Sequence, residues 1–348
     1  MILEQEIVSL PVNILIFAGA AAVIGIFGVR MTHVARELAS QSGIGEALMG
    51  TLFIGASTSL SGIIASVTAA SYGHAELAVS NGLGGIAAQT VFLAVADMFY
   101  RKANLEHAAA SAENLMMCAF LVTLLAILLL AFASPNMQIG TVHPASILLI
   151  VAYVFGIRIL GKTHKMPMWV PKRTSDTRYE KAPDHRRTFR LSGHLWLRFF
   201  IYSIFVGMSG WVLSRTGVAI ADRSGLSEGL IGGVFIAVST SLPELVIAVT
   251  AVRLKALTLA VGDIIGGNAF DTLFVAVSDA VYVKGSIYVD ISGNESFWLA
   301  VTVLMTGILL MGLLHRERHG IGNIGWESFL IALLYVGSLV FIAFHGIS

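Results

Sequence analysis

Ten apolar runs set the pattern of the chain, at about residues 9–29, 45–70, 75–99, 112–133, 142–160, 194–214, 228–252, 256–280, 296–314 and 325–345. Each is close to the roughly 20 residues a helix needs to cross a bilayer. The pattern predicts an all-α integral membrane protein with ten transmembrane helices. The first run leads directly into further spans, so it reads as a helix and not as a cleaved leader. Polar residues break the pattern half-way through some runs, above all Thr240, Ser241 and Glu244 in the seventh.

Those interruptions recur. Pairing each residue n with n + 182 aligns Gly43–Tyr100 with Gly225–Tyr282 without a gap, and 25 of the 58 pairs are identical. The shared centre is Ser57-Thr58-Ser59-Leu60 against Ser239-Thr240-Ser241-Leu242. With five spans per copy, the second half crosses the membrane in the opposite sense to the first. The predicted organisation is a first five-helix repeat (1–160), a basic cytoplasmic loop (161–193) and a second, inverted five-helix repeat (194–348). In carriers of this design the substrate sits near the bilayer midplane, where broken helices of both repeats meet. An old duplication without a shared site is the bland alternative. The matching residues are polar and deep in the spans, which speaks against it.

Charge agrees with this topology. The 348 residues are 56% hydrophobic and 12% charged, with mean hydropathy +0.81, whereas a soluble domain carries about 25% charge. Arg30, Arg36, Arg101, Lys102, Arg253, Lys255, Arg316 and Arg318 fall in loops expected on one side. Only Arg215, Arg223 and Lys284 fall in loops on the other. By the positive-inside rule the first set is cytoplasmic and both termini lie outside. The segment after the fifth run adds Lys162, Lys165, Lys172, Arg173, Arg178, Lys181, Arg186, Arg187 and Arg190. It suits anionic lipid headgroups and is too short for a separate domain. Nucleic-acid binding is not expected, and the sequence leaves oligomeric state open. Cys118 is the only cysteine, so no intrachain disulfide is expected. The duplication and the apolar composition, with no HExxH pair present, read as a transporter without a cofactor and not as an enzyme.

The second copy carries the acidic chemistry. Glu244, Asp263, Asn268 and Asp271 stand where the first has Gly62, Asn81, Ile86 and Gln89. A carboxylate at mid-span costs roughly 2.5–3.5 kcal/mol on insertion scales, so its presence there calls for a function. Thr240 and Glu244 share a helical face. Pro243 has no N–H, which releases the Ser239 carbonyl from its helical partner. Hydroxyl, carbonyl and carboxylate oxygens together suit Na⁺ or Ca²⁺ better than Zn²⁺ or Cu. In the eighth run Asp271 is the second expected ligand. Asp263, Asn268, Asn81 and Ser239 are expected to line an access path or support the ligands. A kinked helix with Glu244 paired to a base is the alternative, but no Lys, Arg or His lies deep in a span. Glu46 and Glu228 sit at helix starts, where capping is the expected role. Asp97 and Asp279, near helix ends, read as interface anchors.

Ser-Thr-Ser-Leu-Pro-Glu-Leu (239–245) and Gly262-Asp263-Ile264-Ile265-Gly266-Gly267-Asn268-Ala269-Phe270-Asp271 resemble an α-repeat of the Ca²⁺/cation antiporter superfamily. Its prokaryotic Na⁺/Ca²⁺-exchanger-like members are the nearest in pattern. The resemblance covers both repeats and implies a secondary antiporter of an inner (plasma) membrane, moving Ca²⁺ or another cation against Na⁺, K⁺ or H⁺. It also implies two mobile helices sliding past a fixed core. It assigns cation binding to Glu244, Asp271, Thr240, Ser241, Thr58, Ser59 and Gln89, with Glu244 and Asp271 as the charged metal ligands. The departures are specific. The Pro-Glu of the first repeat is Ser61-Gly62 here, and Gly85 and Gly267 replace the serines of the family's Gly-Ser-Asn triplets. One central carboxylate is therefore missing. Losing a charge weakens a divalent ion about twice as much as a monovalent one, which moves the expected preference toward Na⁺ or H⁺. Na⁺/H⁺ exchange is thus the nearest alternative, and a cation channel or non-transporting ion sensor the more distant one.

Overall fold

A computed structural model describes residues 9–135, 137–165, 168–177, 193–223, 237–320 and 324–345. The described residues form helices joined by short connections, with no strand beyond an isolated bridge between Ile139 and Val142. The first half holds α1 (Leu10–Ser42), α2 (Glu46–Thr58, π-helical over Met49–Ile54), α3 (Leu60–Ser71), α4 (Ala75–Asp97), α5 (Ala112–Ala133) and α6 (Pro144–Lys165). The second holds α7 (Gly193–Arg223), α8 (Leu242–Arg253), α9 (Leu257–Val281), α10 (Gly293–His315) and α11 (Trp326–His345). Seven of these helices are long and apolar enough to cross a membrane, or eight if α2 and α3, bent by 44°, count as one span. α11 is a shorter apolar helix, and the seventh expected span is described only from residue 237. Its first half, with Glu228, and the basic residues Arg178, Lys181, Arg186, Arg187 and Arg190 lie outside the described residues.

Local signals explain several boundaries. Pro11 opens α1, where its missing N–H breaks no bond, and Gly43 closes it at φ 71°. Ser111 caps α5 by accepting the Asn114 N–H at 3.0 Å. Ser292 and Glu295 form a reciprocal capping box on α10, and Glu295 also accepts the Ser80 hydroxyl of α4 at 2.6 Å.

Burial sorts the helices into centre and periphery. In α4 and α9, 83% of the apolar window is inside the protein, against 22% in α1 and α6. The peripheral helices turn large apolar side chains outward, among them Leu15, Phe155 and Met208, as contact with hydrocarbon requires. α1 makes its most extensive contact with α7, where the Phe27 and Phe205 rings stack at 4.4 Å. Ala20, Ile24 and Leu213 form a small cluster there, separate from the main core.

The centre is held by backbone-to-backbone packing. A Cβ on Gly50 would stand 2.7 Å from the Asp263 nitrogen, and one on Gly55 would stand 2.7 Å from the Gly267 nitrogen. A Cβ on Gly266 would overlap the Thr51 backbone. Glycines here let α2 lie directly on α9, and the Thr51 hydroxyl donates to the Gly262 carbonyl at 3.1 Å. Gly266→Val should therefore lower stability by roughly 1–3 kcal/mol or more. Gly19→Ala, where nothing lies within 4 Å, should not. Thermal unfolding of the two detergent-purified variants beside wild type checks this.

The loops gather on two faces. On one, the Asn104 N–H donates to the Arg318 carbonyl at 3.0 Å, and His107 bonds both the Arg316 carbonyl and the Thr174 hydroxyl. Arg316 donates to the Lys172 carbonyl at 2.8 Å, Arg318 pairs with Asp176 at 2.7 Å, and Arg253 stacks over Phe99. On the other, Lys284 donates to the Gly73 carbonyl at 3.3 Å. The loops that the charge pattern assigns to one side of the membrane thus do meet.

The 182-residue offset extends into these loops. Asp97 accepts the Leu105 N–H at 2.7 Å and the Gly325 N–H at 3.0 Å. Its counterpart Asp279 accepts from Ile287 at 2.9 Å and from His143 at 2.7 Å, the residues at 105 + 182 and 325 − 182. Each aspartate thus clasps its own half and the opposite half in the same way. Both are fully buried, so neither is the membrane-interface anchor that position near a helix end suggested. Glu46 does start α2, and accepts the Thr258 hydroxyl at 3.1 Å near Arg36.

Candidate cation site

Two helix interruptions frame the site. α2 gives way to α3 at Ser59 (φ −70°, ψ −6°), and the helix before α8 breaks at Ser241 (φ −95°, ψ 5°). The second break precedes Pro243, as expected. The first forms without a proline at position 61 and is therefore set by packing. Gly210 of α7 lies so close that a Cβ there would stand 2.8 Å from Ser61 Oγ. The breaks bring the Thr-Ser pairs into the protein interior. Thr58, Ser59, Thr240 and Ser241 are all buried.

α4 and α9 supply the opposing wall. Gln89 and Asp271, which occupy equivalent positions of the two repeats, meet directly: Gln89 Nε2 donates to Asp271 Oδ2 at 2.7 Å and to Ser241 Oγ at 3.4 Å. Glu244, 1% exposed, comes from the start of α8 and lies beside the Thr58 hydroxyl. These side chains surround a cavity on the scale of one water molecule or ion. It is lined by Thr58, Ser59, Gln89, Thr240, Ser241, Glu244 and Asp271, together with Gly62, Asn81, Gly85 and Phe274. All seven residues expected to bind the cation are therefore in one wall-set, drawn from both halves.

The decisive feature is an excess of acceptors. Glu244 Oε2, Asp271 Oδ1 and Gln89 Oε1 are buried without a hydrogen-bond partner among the described residues, beside the buried Ser59 hydroxyl. Neither carboxylate forms an ion pair there. Unpaired buried oxygens cost about 1–3 kcal/mol each, more when charged, and a cation removes that cost. The pattern fits hard-ion coordination, in which 6–8 oxygens gather around Ca²⁺ and fewer around smaller ions.

The supporting residues divide. Asn81 lines the cavity, but its amide donates to the Gly62 carbonyl at 3.0 Å and the Ser66 hydroxyl at 2.8 Å, so it braces the α3–α4 contact. Asn268 points to Thr90, donating at 3.0 Å. Asp263 is buried under the π-helical turn of α2, and Ser239 is buried in the helical turn before the break. None of these three lines the cavity. Phe274 is the wall residue that composition and spacing do not reveal. Its ring fills the space that a side chain at Gly62 would take, with Cε2 2.6 Å from the Cβ position. The substitution of Gly62 for the expected glutamate was its only sequence trace.

A helical membrane body with broken helices around a two-carboxylate, oxygen-lined cavity defines an integral membrane protein with an enclosed candidate cation site. The comparisons narrow the class. The sequence profile of the sodium/calcium exchanger protein family matches residues 12–161 and again 194–344, once per half. The chain belongs to that family, whose members are membrane antiporters that move ions. The putative antiporter CaxA of Alkalimonas amylolytica is 25% identical over 313 residues, covering 88% of this chain and 91% of that one. The inner membrane protein YrbG of Escherichia coli is 30% identical over 144 residues, 40% of this chain and 43% of its own. Solved structures of the sodium-calcium exchanger NCX_Mj share the fold, with TM-score 0.69 at 17% identity, over 97% of this chain and 99% of that one.

Proposed function

We propose that the protein is a secondary cation antiporter of a prokaryotic inner membrane, exchanging Ca²⁺ or another cation for Na⁺ or H⁺ by alternating access at the Glu244–Asp271 cavity. Ten spans in two inverted five-helix repeats (1–160 and 194–348) flank the basic segment 161–193, with both termini outside. The observation that carries this reading is the set of oxygens on Glu244, Asp271 and Gln89 without a partner among the described residues, beside the buried Ser59 hydroxyl. Thr58, Thr240 and Ser241 complete the shell.

The two carboxylates balance one divalent or two monovalent cations. A neutralised site can change its exposure between the two sides, whereas a doubly charged one in hydrocarbon pays a large desolvation cost. That difference enforces exchange over leak. The pairing of α1 with α7, and their separate apolar cluster, supports motion of these two helices across the fixed face formed by α2–α4 and α8–α9. Phe274 in the space of the missing first-repeat glutamate favours the monovalent version, Na⁺/H⁺ exchange, as the second reading.

Flux measurements in proteoliposomes test both. Radioactive calcium or sodium should enter only when a competing cation, or a proton gradient, is present on the opposite side. Uptake that needs no ion on the trans side would identify a channel and end the proposal.

A further inference from the structure

The two aspartate clasps differ in their surroundings, and their symmetry makes the difference measurable. At the Asp279 clasp, Ser146 Oγ donates to Asp279 Oδ2 at 2.8 Å and lies 3.0 Å from Tyr288 Oη, and residue 145 is alanine. At the Asp97 clasp, Ser328 donates at 3.1 Å to Glu106 Oε1, and residue 327 is glutamate. Position 106 answers to 288, and 327 to 145. One face of the protein thus carries two carboxyl groups where the other has a phenol and a methyl.

Both glutamates are fully buried. The Glu327 side chain folds back between two glycines: a Cβ on Gly312 would stand 2.5 Å from its Cγ, and one on Gly325 would overlap its carboxyl group. The Glu106 and Glu327 carboxyl groups lie within hydrogen-bonding reach of each other, and an ionised carboxylate is an acceptor only. Glu106 Oε2 and both Glu327 oxygens have no other partner among the described residues. The neighbouring titratable groups are Asp97, His315 and Glu317. Asp97 has both oxygens committed to backbone N–H groups, and among the described residues no set of three acidic, histidine or cysteine side chains is arranged to hold a metal.

We propose that Glu106 and Glu327 form a site for one proton, shared between the two carboxyl groups, which ties the loop after α4 to the start of α11. This site is separate from the cation cavity and does not rest on its assignment. Burial first, then the Asp97 and Glu327 carboxyls, hold Glu106 well above the ordinary glutamate value of 4.5. A raised folded-state value means that the folded protein holds the proton longer than the unfolded chain. The stabilisation is complete below 4.5 and is lost as pH rises through the raised value. His107, next in sequence, binds Arg316 and Thr174, so loss of the proton loosens the contact that docks residues 168–177.

Thermal unfolding of the full chain in detergent, followed from mildly acidic to mildly alkaline pH, tests the site. Wild type should lose roughly 2–4 °C of Tm across the range. Glu106→Tyr combined with Glu327→Ala installs the residues of the neutral clasp and should remove most of that slope. Glu106→Gln, whose amide donates to Glu327 without a proton, should unfold above wild type at alkaline pH. Equal slopes in wild type and both variants would overturn the proposal. So would Ca²⁺ restoring alkaline stability to wild type but not to Glu106→Gln, since the ligand would then be a metal.

Discussion

Glu244→Gln is expected to reduce cation exchange in proteoliposomes to the level of protein-free vesicles, while the purified variant keeps its thermal stability. The side chain is 1% exposed and contributes one of two carboxylates in the cavity. Removing one charge from a desolvated group of opposite charges costs about 3–5 kcal/mol, or about two to four orders of magnitude in cation affinity. Glutamine preserves shape and an acceptor oxygen, so misfolding does not explain a loss. Glu244 needs a cation more than it needs a protein partner, and stability without added ion should therefore hold or rise. Exchange at wild-type rate in this variant would remove Glu244 from the binding shell.

Gly62→Glu has the next largest expected effect, and its direction depends on Phe274. Charge counting alone suggests that restoring the missing glutamate strengthens Ca²⁺ binding. The Phe274 ring already occupies that volume, 2.6 Å from where the Cβ would be, and overpacking of this kind costs about 1–3 kcal/mol. The single variant should therefore lose stability and gain no Ca²⁺ affinity. Gly62→Glu with Phe274→Ala opens the space, and the third carboxylate should then raise preference for Ca²⁺ over Na⁺ by roughly ten- to a hundredfold. Competition binding of the two ions to purified double variant measures this. An unchanged preference in a folded double variant would mean that position 62 does not face the ion bound by Glu244.

Much of the site was legible because polar residues in hydrocarbon need a reason. Thr240, Ser241, Glu244 and Asp271 stand out against their apolar runs, and the repeat brings Thr58, Ser59 and Gln89 opposite them. The break at Ser241 is marked by Pro243. Its twin at Ser59 has no such mark and follows from packing against α7. Phe274 escaped because an aromatic residue in an apolar run has no distinguishing chemistry; only its contact with Gly62 gives it meaning. The clasps escaped for a related reason. The partners of Asp97 and Asp279 are backbone N–H groups, which leave no signature in side-chain spacing. Asn268, expected on an access path or behind the ligands, donates to Thr90 at 3.0 Å and does not line the cavity.

The central claim is that one cavity, built from both halves, holds the transported ion. Crystals of the protein grown with Sr²⁺ or Tl⁺ test it most directly through the anomalous signal of the ion. A peak in contact with Glu244 Oε2, Asp271 Oδ1 and Gln89 Oε1, at slightly more than the roughly 2.3–2.6 Å of Ca²⁺ for Sr²⁺ and farther still for Tl⁺, is the predicted result. Strong density elsewhere in the helical body, with none between Glu244 and Asp271, would contradict it.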